Sequence, residues 1–353
     1  MKRNLLLMVL AVPLLLAGYA ILQLIVPLSV PGGQVELEIP EGATFGQAAN
    51  MLRKAHLIRD RNLFVLLAKV LQVDKKIRAG YYLFTEGMTP LGVFQELRKG
   101  RIIEYDVTIV EGDSLREIGA KLASKAIMPV ERFNSLSADQ EFLESLDISA
   151  PSLEGYLFPQ TYRVSKGKLP EAILATMVST MRSEFAGDLR ERAARIGWSE
   201  NQVLTLASII EREAQTDEER PLISAVYHNR IRRGMPLQAD PTAVYGVKSY
   251  KEKITLDDLR KETEYNTYVI KGLPPGPIAS PGLKSITAAL YPASVGYLYF
   301  VSKGDGTHYF STTLSEHEEA IYRARSARLE TTPGSAAEKQ SERSGLATAG
   351  KGG

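Results

Sequence analysis

The sequence predicts an α+β protein in three parts: a single N-terminal transmembrane helix, a small α+β unit, and a larger mixed α+β domain. Three observations predict it. An apolar run opens the chain, a strand-turn-helix phrase then occurs twice, and helical periodicity takes over from Pro170. At 353 residues the chain exceeds one average domain. Its 44% hydrophobic and 24% charged residues suit a real core. A net charge of +2 gives no electrostatic case for nucleic acid. The absence of cysteine excludes disulfides, thiolate metal sites and a cysteine nucleophile.

Lys2 and Arg3 precede the run Leu5 to Val26, in which Gln23 is the one strongly polar residue. A spanning helix needs about 20 such residues. No Lys or Arg follows before Arg53, so the positive-inside rule leaves residues 1–4 as a cytoplasmic stub and exports the rest. Gly18-Tyr19-Ala20 has the small-x-small form of a signal-peptide cleavage site, the competing reading. The apolar run continues past it to Val26, which favours an uncleaved anchor over 5–26 and a linker over 27–36.

Val35 to Ile39 alternates as a half-buried strand does. Thr44 then caps a helix with Phe45, Ala48, Ala49 and Leu52 on one face. The apolar stretch Leu63 to Leu71 and the strand Tyr81 to Phe84 complete a small unit ending near Gly100. The opening phrase returns as Val107 to Leu115, mirroring Leu37 to Phe45: a strand, a Glu-Gly turn, a Ser or Thr cap and a helix. Pro170 opens an amphipathic helix bearing Ile173, Leu174, Met177, Val178, Met181 and Phe185. Ser199 and Gln202 form a capping box for a helix from Gln202 to Gln215. Another runs from Pro221 to Arg233 and stops at Gly234. From there to Tyr291 the chain is rich in Pro, Gly, Tyr, Asn and Thr, a composition for a rigid cleft lining rather than regular helix. Tyr297 to Ser302 and Thr307 to Ser311 flank a hairpin turn. Leu314 to Arg328 is a last helix, and residues 331–353 read as a disordered tail.

The helix from Gln202 centres the chemistry. At 100° per residue its polar arc holds Thr205, Ser208 and Arg212, and apolar residues cover the remainder. Glu211 falls between Ala207 and Leu204, and Glu213 between Ile209 and Leu206. A carboxyl group in an apolar sector is desolvated and its pKa rises, the property glycosidases give to the acid that protonates a leaving oxygen. Buried charges are usually paired, so the plainer alternative is an ion pair with Arg220, Arg230, Arg232 or Arg233. Periodicity does not choose between the two glutamates, although Glu213 reads as the better structural ion pair. His56, His228, His308 and His317 show no ligand spacing, and neither metal nor cofactor is expected. Serine-hydrolase, P-loop and Rossmann motifs are missing. Tyr245, Tyr265 and Tyr268 could stack on sugar faces, though tyrosines with bonded hydroxyls are commoner.

Leu206-Ala207-Ser208-Ile209-Ile210-Glu211-Arg212-Glu213 resembles the signature of the endolytic murein transglycosylases, the MltG or YceG-like family. His228-Asn229-Arg230-Ile231, the run Met235 to Thr242, Tyr245-Gly246, Tyr265 to Tyr268, the run Gly272 to Ile278 and Ser280-Pro281-Gly282 follow in family order. Upstream, Glu154-Gly155-Tyr156-Leu157-Phe158-Pro159 resembles a further family element. The resemblance implies a LysM-like subdomain over 37–104 and a catalytic domain over 105–330. It also implies a lyase that cuts MurNAc-GlcNAc bonds of peptidoglycan and leaves 1,6-anhydroMurNAc ends, with Glu211 as single general acid and base. Gln238, Asp240, Tyr245, Asn266, Thr267, Tyr268 and Ser280 are the expected substrate-binding residues, with turn formation as the alternative for several. Glycan strands, the inner membrane and peptidoglycan synthases are the expected partners. A water-using muramidase, with Asp240 as second carboxylate, and a non-catalytic wall-binding scaffold are the competing functions.

Overall fold

Both copies of the repeated phrase fold alike. In the computed structural model, which describes residues 2–30, 32–73, 77–250 and 252–331, each Glu-Gly turn ends in a glycine with positive φ, Gly42 at 77° and Gly112 at 83°. A side chain there would be strained. Thr44 and Ser114 then each complete a capping box with the residue three positions on, Gln47 and Glu117.

The chain divides into two compact units, Met1–Val107 with Tyr162–Leu169, and Thr108–Thr161 with the described residues after Pro170. The first unit begins with helix α1 (Lys2–Ile25). Among the described residues no helix is long and apolar enough to cross a membrane. Arg59 donates to the carbonyls of Val26 and Pro27, just past the end of α1. Strand β1 (Gln34–Ile39), α2 (Phe45–Lys54), α3 (Arg61–Val70), β2 (Gly80–Thr85) and α4 (Pro90–Lys99) follow. β1 and β2 are antiparallel, with Leu37 opposite Tyr82 and Val35 opposite Phe84. Phe45, Phe64 and Phe94, one from each of α2, α3 and α4, meet at ring separations of 5.7 to 6.4 Å and close the small core. Strand β3 (Glu104–Thr108) pairs with β4 (Thr161–Ser165). β4 brings residues 162–169 back to the first unit, which therefore draws on two stretches of the chain.

In the second unit α5 (Leu115–Ser124), α6 (Val130–Ser137) and α7 (Gln140–Ser145) precede β4, and α8 (Pro170–Glu184) and α9 (Asp188–Arg195) follow it. Next come α10 (Glu200–Glu213), α11 (Arg220–Arg232), α12 (Asp240–Val244), α13 (Leu256–Arg260) and α14 (Leu283–Leu290). β5 (Tyr299–Ser302) and β6 (His308–Ser311) form the expected hairpin, with Phe300 opposite Phe310, and α15 (Leu314–Thr331) ends the described chain. The tail after Thr331 lies outside the described residues.

Two expectations need correction. The Pro/Gly-rich stretch carries three short helices, started at Asp240-Pro241, Thr255 and Gly282. The supposed polar arc of α10 is buried: Thr205 is 1% and Ser208 0% exposed. Thr205 returns its hydroxyl to the Asn201 carbonyl, and Ser208 bonds the Thr205 carbonyl while accepting the Ile278 N–H at 3.0 Å. Both hydroxyls are thereby satisfied inside the core.

Candidate active site

Helix α10 is the axis of the second unit. Its residues Val203 to Ile210 are all buried, and it packs along α14 and against α11 and α12. Its last turn sends three consecutive charged side chains in three directions, as a step of 100° per residue requires.

Glu211 turns toward α11 and α14. One carboxylate oxygen takes Arg220 Nη1 at 2.9 Å and the other takes the Gly282 N–H at 2.9 Å. Arg220 Nη1 also donates to Ser285 Oγ at 2.5 Å, and its Nε to Asp217 at 3.1 Å. The Glu211 side chain is 5% exposed and that of Arg220 10%. A Cβ on Gly282 would fall 2.0 Å from Glu111 Oε1, so any larger residue there would have to displace the Glu111 side chain. Both acceptor oxygens are occupied by fixed donors, and Glu211 lines neither of the two cavities that the end of α10 borders. The residue expected to be the acid and base sits in the buried ion pair that was its plainer alternative.

Glu213 turns the other way, into a cavity of about 370 Å³ lined also by Arg230, Gln238, Asp240, Tyr268, His308 and His317. Burial pushes its carboxyl up to about 8, with the neighbouring Asp240 charge adding to the rise, while the Tyr227 hydroxyl, Asp240 backbone and Arg230 oppose it. Tyr227, 1% exposed, donates to Glu213 Oε1 at 3.1 Å. At neutral pH Glu213 therefore holds its proton, and one face of the group looks into an open cavity. Asp240, exposed at the start of α12, accepts the Tyr268 hydroxyl at 2.6 Å. Across the cavity His308 Nδ1 meets Glu219 at 2.6 Å.

Arg230 shapes the wall. It is 7% exposed and bonds oxygens rather than a carboxylate: the carbonyls of Leu298 and Leu237, each at 2.7 Å, and Gln238 Oε1 at 3.2 Å. Gln238 adopts φ 52°, a left-handed conformation uncommon outside glycine. The Thr267 carbonyl, which takes the Gln238 N–H, and Arg230 together hold it there.

The expected substrate-binding residues separate into three groups. Gln238, Asp240 and Tyr268 line the Glu213 cavity. Tyr245 lines a different cavity, where its hydroxyl bonds Glu154 at 3.0 Å and its ring lies 4.6 Å from that of Tyr265. Asn266, Thr267 and Ser280 are 0% exposed. Asn266 donates to the carbonyls of Asp258, Leu259 and Lys261, and Thr267 bonds Ala239 and Thr242, so both are scaffold. The Ser280 hydroxyl has no hydrogen-bond partner among the described residues, although its backbone pairs with Gly112 and Asp113. Arg230, Tyr227, His308 and His317 were not foreseen as site residues. The proximity of His228-Asn229-Arg230 to the Asp240 segment in sequence was the available signal.

A partly buried carboxylic acid with a raised pKa, facing a polar cavity beside a second carboxylate, is the kind of arrangement that glycosidases use for acid/base chemistry. A family model for the YceG-like family matches residues 37–323. An endolytic murein transglycosylase of Bacillus subtilis is 31% identical over 304 residues, covering 81% of this chain and 83% of that one. A protein of the same name from Streptococcus pneumoniae is 29% identical over 322 residues, and there the chain spans 58% of the relative's length. The crystal structure of a putative YceG-like protein from Listeria monocytogenes superposes with a TM-score of 0.57 at 31% identity, over 81% of this chain and 98% of that one. The chain belongs to the YceG-like family.

Proposed function

We propose that this chain is an endolytic peptidoglycan lytic transglycosylase and that Glu213, rather than Glu211, is its acid and base. One observation carries the reading: Glu213, pushed up to about 8, keeps its proton at neutral pH and opens to a polar cavity beside Asp240, whereas Glu154, pushed up to about 7, has both its oxygens bonded to the Leu115 N–H and the Tyr245 hydroxyl in a mainly apolar one. Glu213 protonates the oxygen of the MurNAc-GlcNAc bond, and C1 of MurNAc becomes electrophilic. The resulting carboxylate takes the proton of that sugar's own 6-hydroxyl, which closes on C1 and leaves a 1,6-anhydroMurNAc end. One group thus serves as acid and then as base, and the nucleophile belongs to the substrate. Gln238, Asp240 and Tyr268 supply hydrogen bonds to amide and hydroxyl groups of the sugars. The Asp240 charge keeps the proton on Glu213 until transfer.

Asp240 supports one alternative. A second carboxylate beside the acid is what a water-using muramidase needs. Digestion of isolated peptidoglycan by the full chain, followed by mass spectrometry of the new ends, separates the two. Anhydro ends from wild type and none from Glu213→Gln support the transglycosylase; reducing MurNAc ends would make Asp240 the base for water.

The same reading places the chain in the inner membrane, anchored by residues 5–26 with the remainder outside. The uncharged apolar run Leu5 to Val26 behind Lys2 and Arg3 supports it. Protease added outside spheroplasts should degrade the domain from residue 37 onward; full protection would refute the orientation.

A further inference from the structure

A second cavity lies apart from the one that Glu213 faces. It has a volume of about 490 Å³, and from the end of α10 it is lined by Arg212 rather than Glu213. The two cavities thus share one helix end and one short helix, with Arg212 and Pro241 lining one and Glu213 and Asp240 the other.

Its chemistry differs from that of the Glu213 cavity. Most of its lining is apolar, supplied by Ala120, Val244, Val247, Ile278 and the ring of Tyr250. Two buried charges are set into that wall. Arg212, with 7% of its side chain exposed, stacks 3.4 Å above the Tyr250 ring and pairs with Glu117 at 3.3 Å. Glu154, 2% exposed, accepts the Leu115 N–H at 3.1 Å and the Tyr245 hydroxyl at 3.0 Å. Arg116 stands exposed at the rim with no ion pair among the described residues, and Lys248 is paired with Asp258. Glu117 balances Arg212, so Arg116 leaves a cationic excess, and Glu154 offsets it only when ionised.

A neutral polyhydroxyl sugar is a poor occupant for such a surface, since its hydroxyl groups would be desolvated against apolar walls. An acidic peptide with small methyl side chains complements it: carboxylates toward Arg116 and Arg212, methyls against Val247 and Ile278. The peptide of a MurNAc residue has this character and begins at O3 of the sugar ring. It must therefore leave the glycan line within one residue of the bond being cut. We infer that the Arg212–Glu154 cavity is a subsite for the acidic stem peptide carried by MurNAc, so that the enzyme reads peptide and glycan in the two cavities that α12 borders. This inference rests on the proposed action on peptidoglycan.

Binding of N-acetylmuramyl-tetrapeptide and of N-acetylmuramic acid to the full chain in detergent, by calorimetry, tests it apart from catalysis. Wild type should bind the muramyl peptide at least about tenfold more tightly than the sugar. Val247→Trp, which fills the cavity, and Arg116→Glu, which reverses the rim charge, should each bring that ratio close to one. Arg116 is exposed and unpaired, so loss of preference in that variant does not reflect misfolding. Equal binding of the two probes by wild type, or a peptide preference undiminished in both variants, would overturn the subsite. Peptide preference without any production of anhydro ends would instead count against the proposed reaction while leaving the peptide site supported.

Discussion

Exchange of either glutamate for glutamine should separate the two roles that α10 places two residues apart. In Glu211→Gln the neutral amide replaces a carboxylate that holds Arg220 and the Gly282 N–H, both in a pair whose side chains are 5% and 10% exposed. Removing one member of a buried pair leaves the other charge uncompensated and costs about 3–5 kcal/mol. Glutamine still offers one acceptor oxygen and Asp217 still pairs with Arg220, so the low end, about 3 kcal/mol, is expected. For a domain of this size each kcal/mol moves Tm by about 2–4 °C, giving a fall of roughly 6–12 °C. At temperatures where the variant is folded, kcat should stay within about threefold of wild type, because the transition state gains no contact from Glu211.

Glu213→Gln should show the reverse. Its carboxyl is already disfavoured as a charge by burial, so a neutral isostere leaves Tm within about 2 °C or raises it, with the Tyr227 contact retained. Loss of a general acid costs about 10²–10⁴ in rate. Thermal melts followed by circular dichroism, with release of anhydro ends scored on the same preparations, give both quantities. A Glu211→Gln enzyme with an unchanged Tm and no activity, beside a Glu213→Gln enzyme that still cuts, would refute the assignment.

Other outcomes follow from the same geometry. With Glu213 as the proposed acid and its carboxyl pushed up to about 8, kcat/KM should hold to about pH 7 and fall as pH rises through 8. Asp240→Asn removes the like charge that raises it, and that alkaline limb should move to lower pH. Glu154 is raised from 4.5 to about 7, chiefly by burial, so its contribution to stability is complete below pH 4.5 and is lost as pH rises through 7. Glu154→Gln should therefore be more stable than wild type at pH 8, by at most about 3 kcal/mol, and by much less at pH 4 in chemical denaturation. Arg230→Lys cannot reach the Leu298, Leu237 and Gln238 oxygens together. It should lose about 2 kcal/mol and raise KM for glycan strands more than it lowers kcat, as strand-length titrations would show.

Most of the architecture was legible because it rests on local rules. Capping boxes at Thr44, Ser114 and Ser199 mark helix starts by residue type and spacing alone, and the hairpin follows from alternation around a Gly-rich turn. β4 and the helices inside the Pro/Gly-rich stretch were not legible: a five-residue element makes too few periods for a pattern, and its partner lies far along the chain. Thr205 and Ser208 misled for a related reason. Hydroxyl groups count as polar in any periodicity, yet each here is satisfied by a carbonyl one turn earlier and can be buried.

The choice between Glu211 and Glu213 shows where a helical projection stops being informative. Within α10 both lie in apolar sectors, and the projection assigns them equal desolvation. What separates them is the partner that each sector meets. Toward Glu211 comes α11, presenting Arg220, and the glycine start of α14, presenting a bare N–H; both compensate charge and fix a carboxylate. Toward Glu213 come the Asp240 carboxylate and open space, which favour the acid and outweigh the opposing Tyr227 hydroxyl and Arg230 charge in a buried setting. Arg220 is nine residues from Glu211 in sequence and Asp240 lies on a helix after the next, so neither meeting is written in the helix itself. Burial alone makes a carboxyl group unusual; whether it becomes a structural ion or an acid is decided by the charge that the neighbouring helix brings to it.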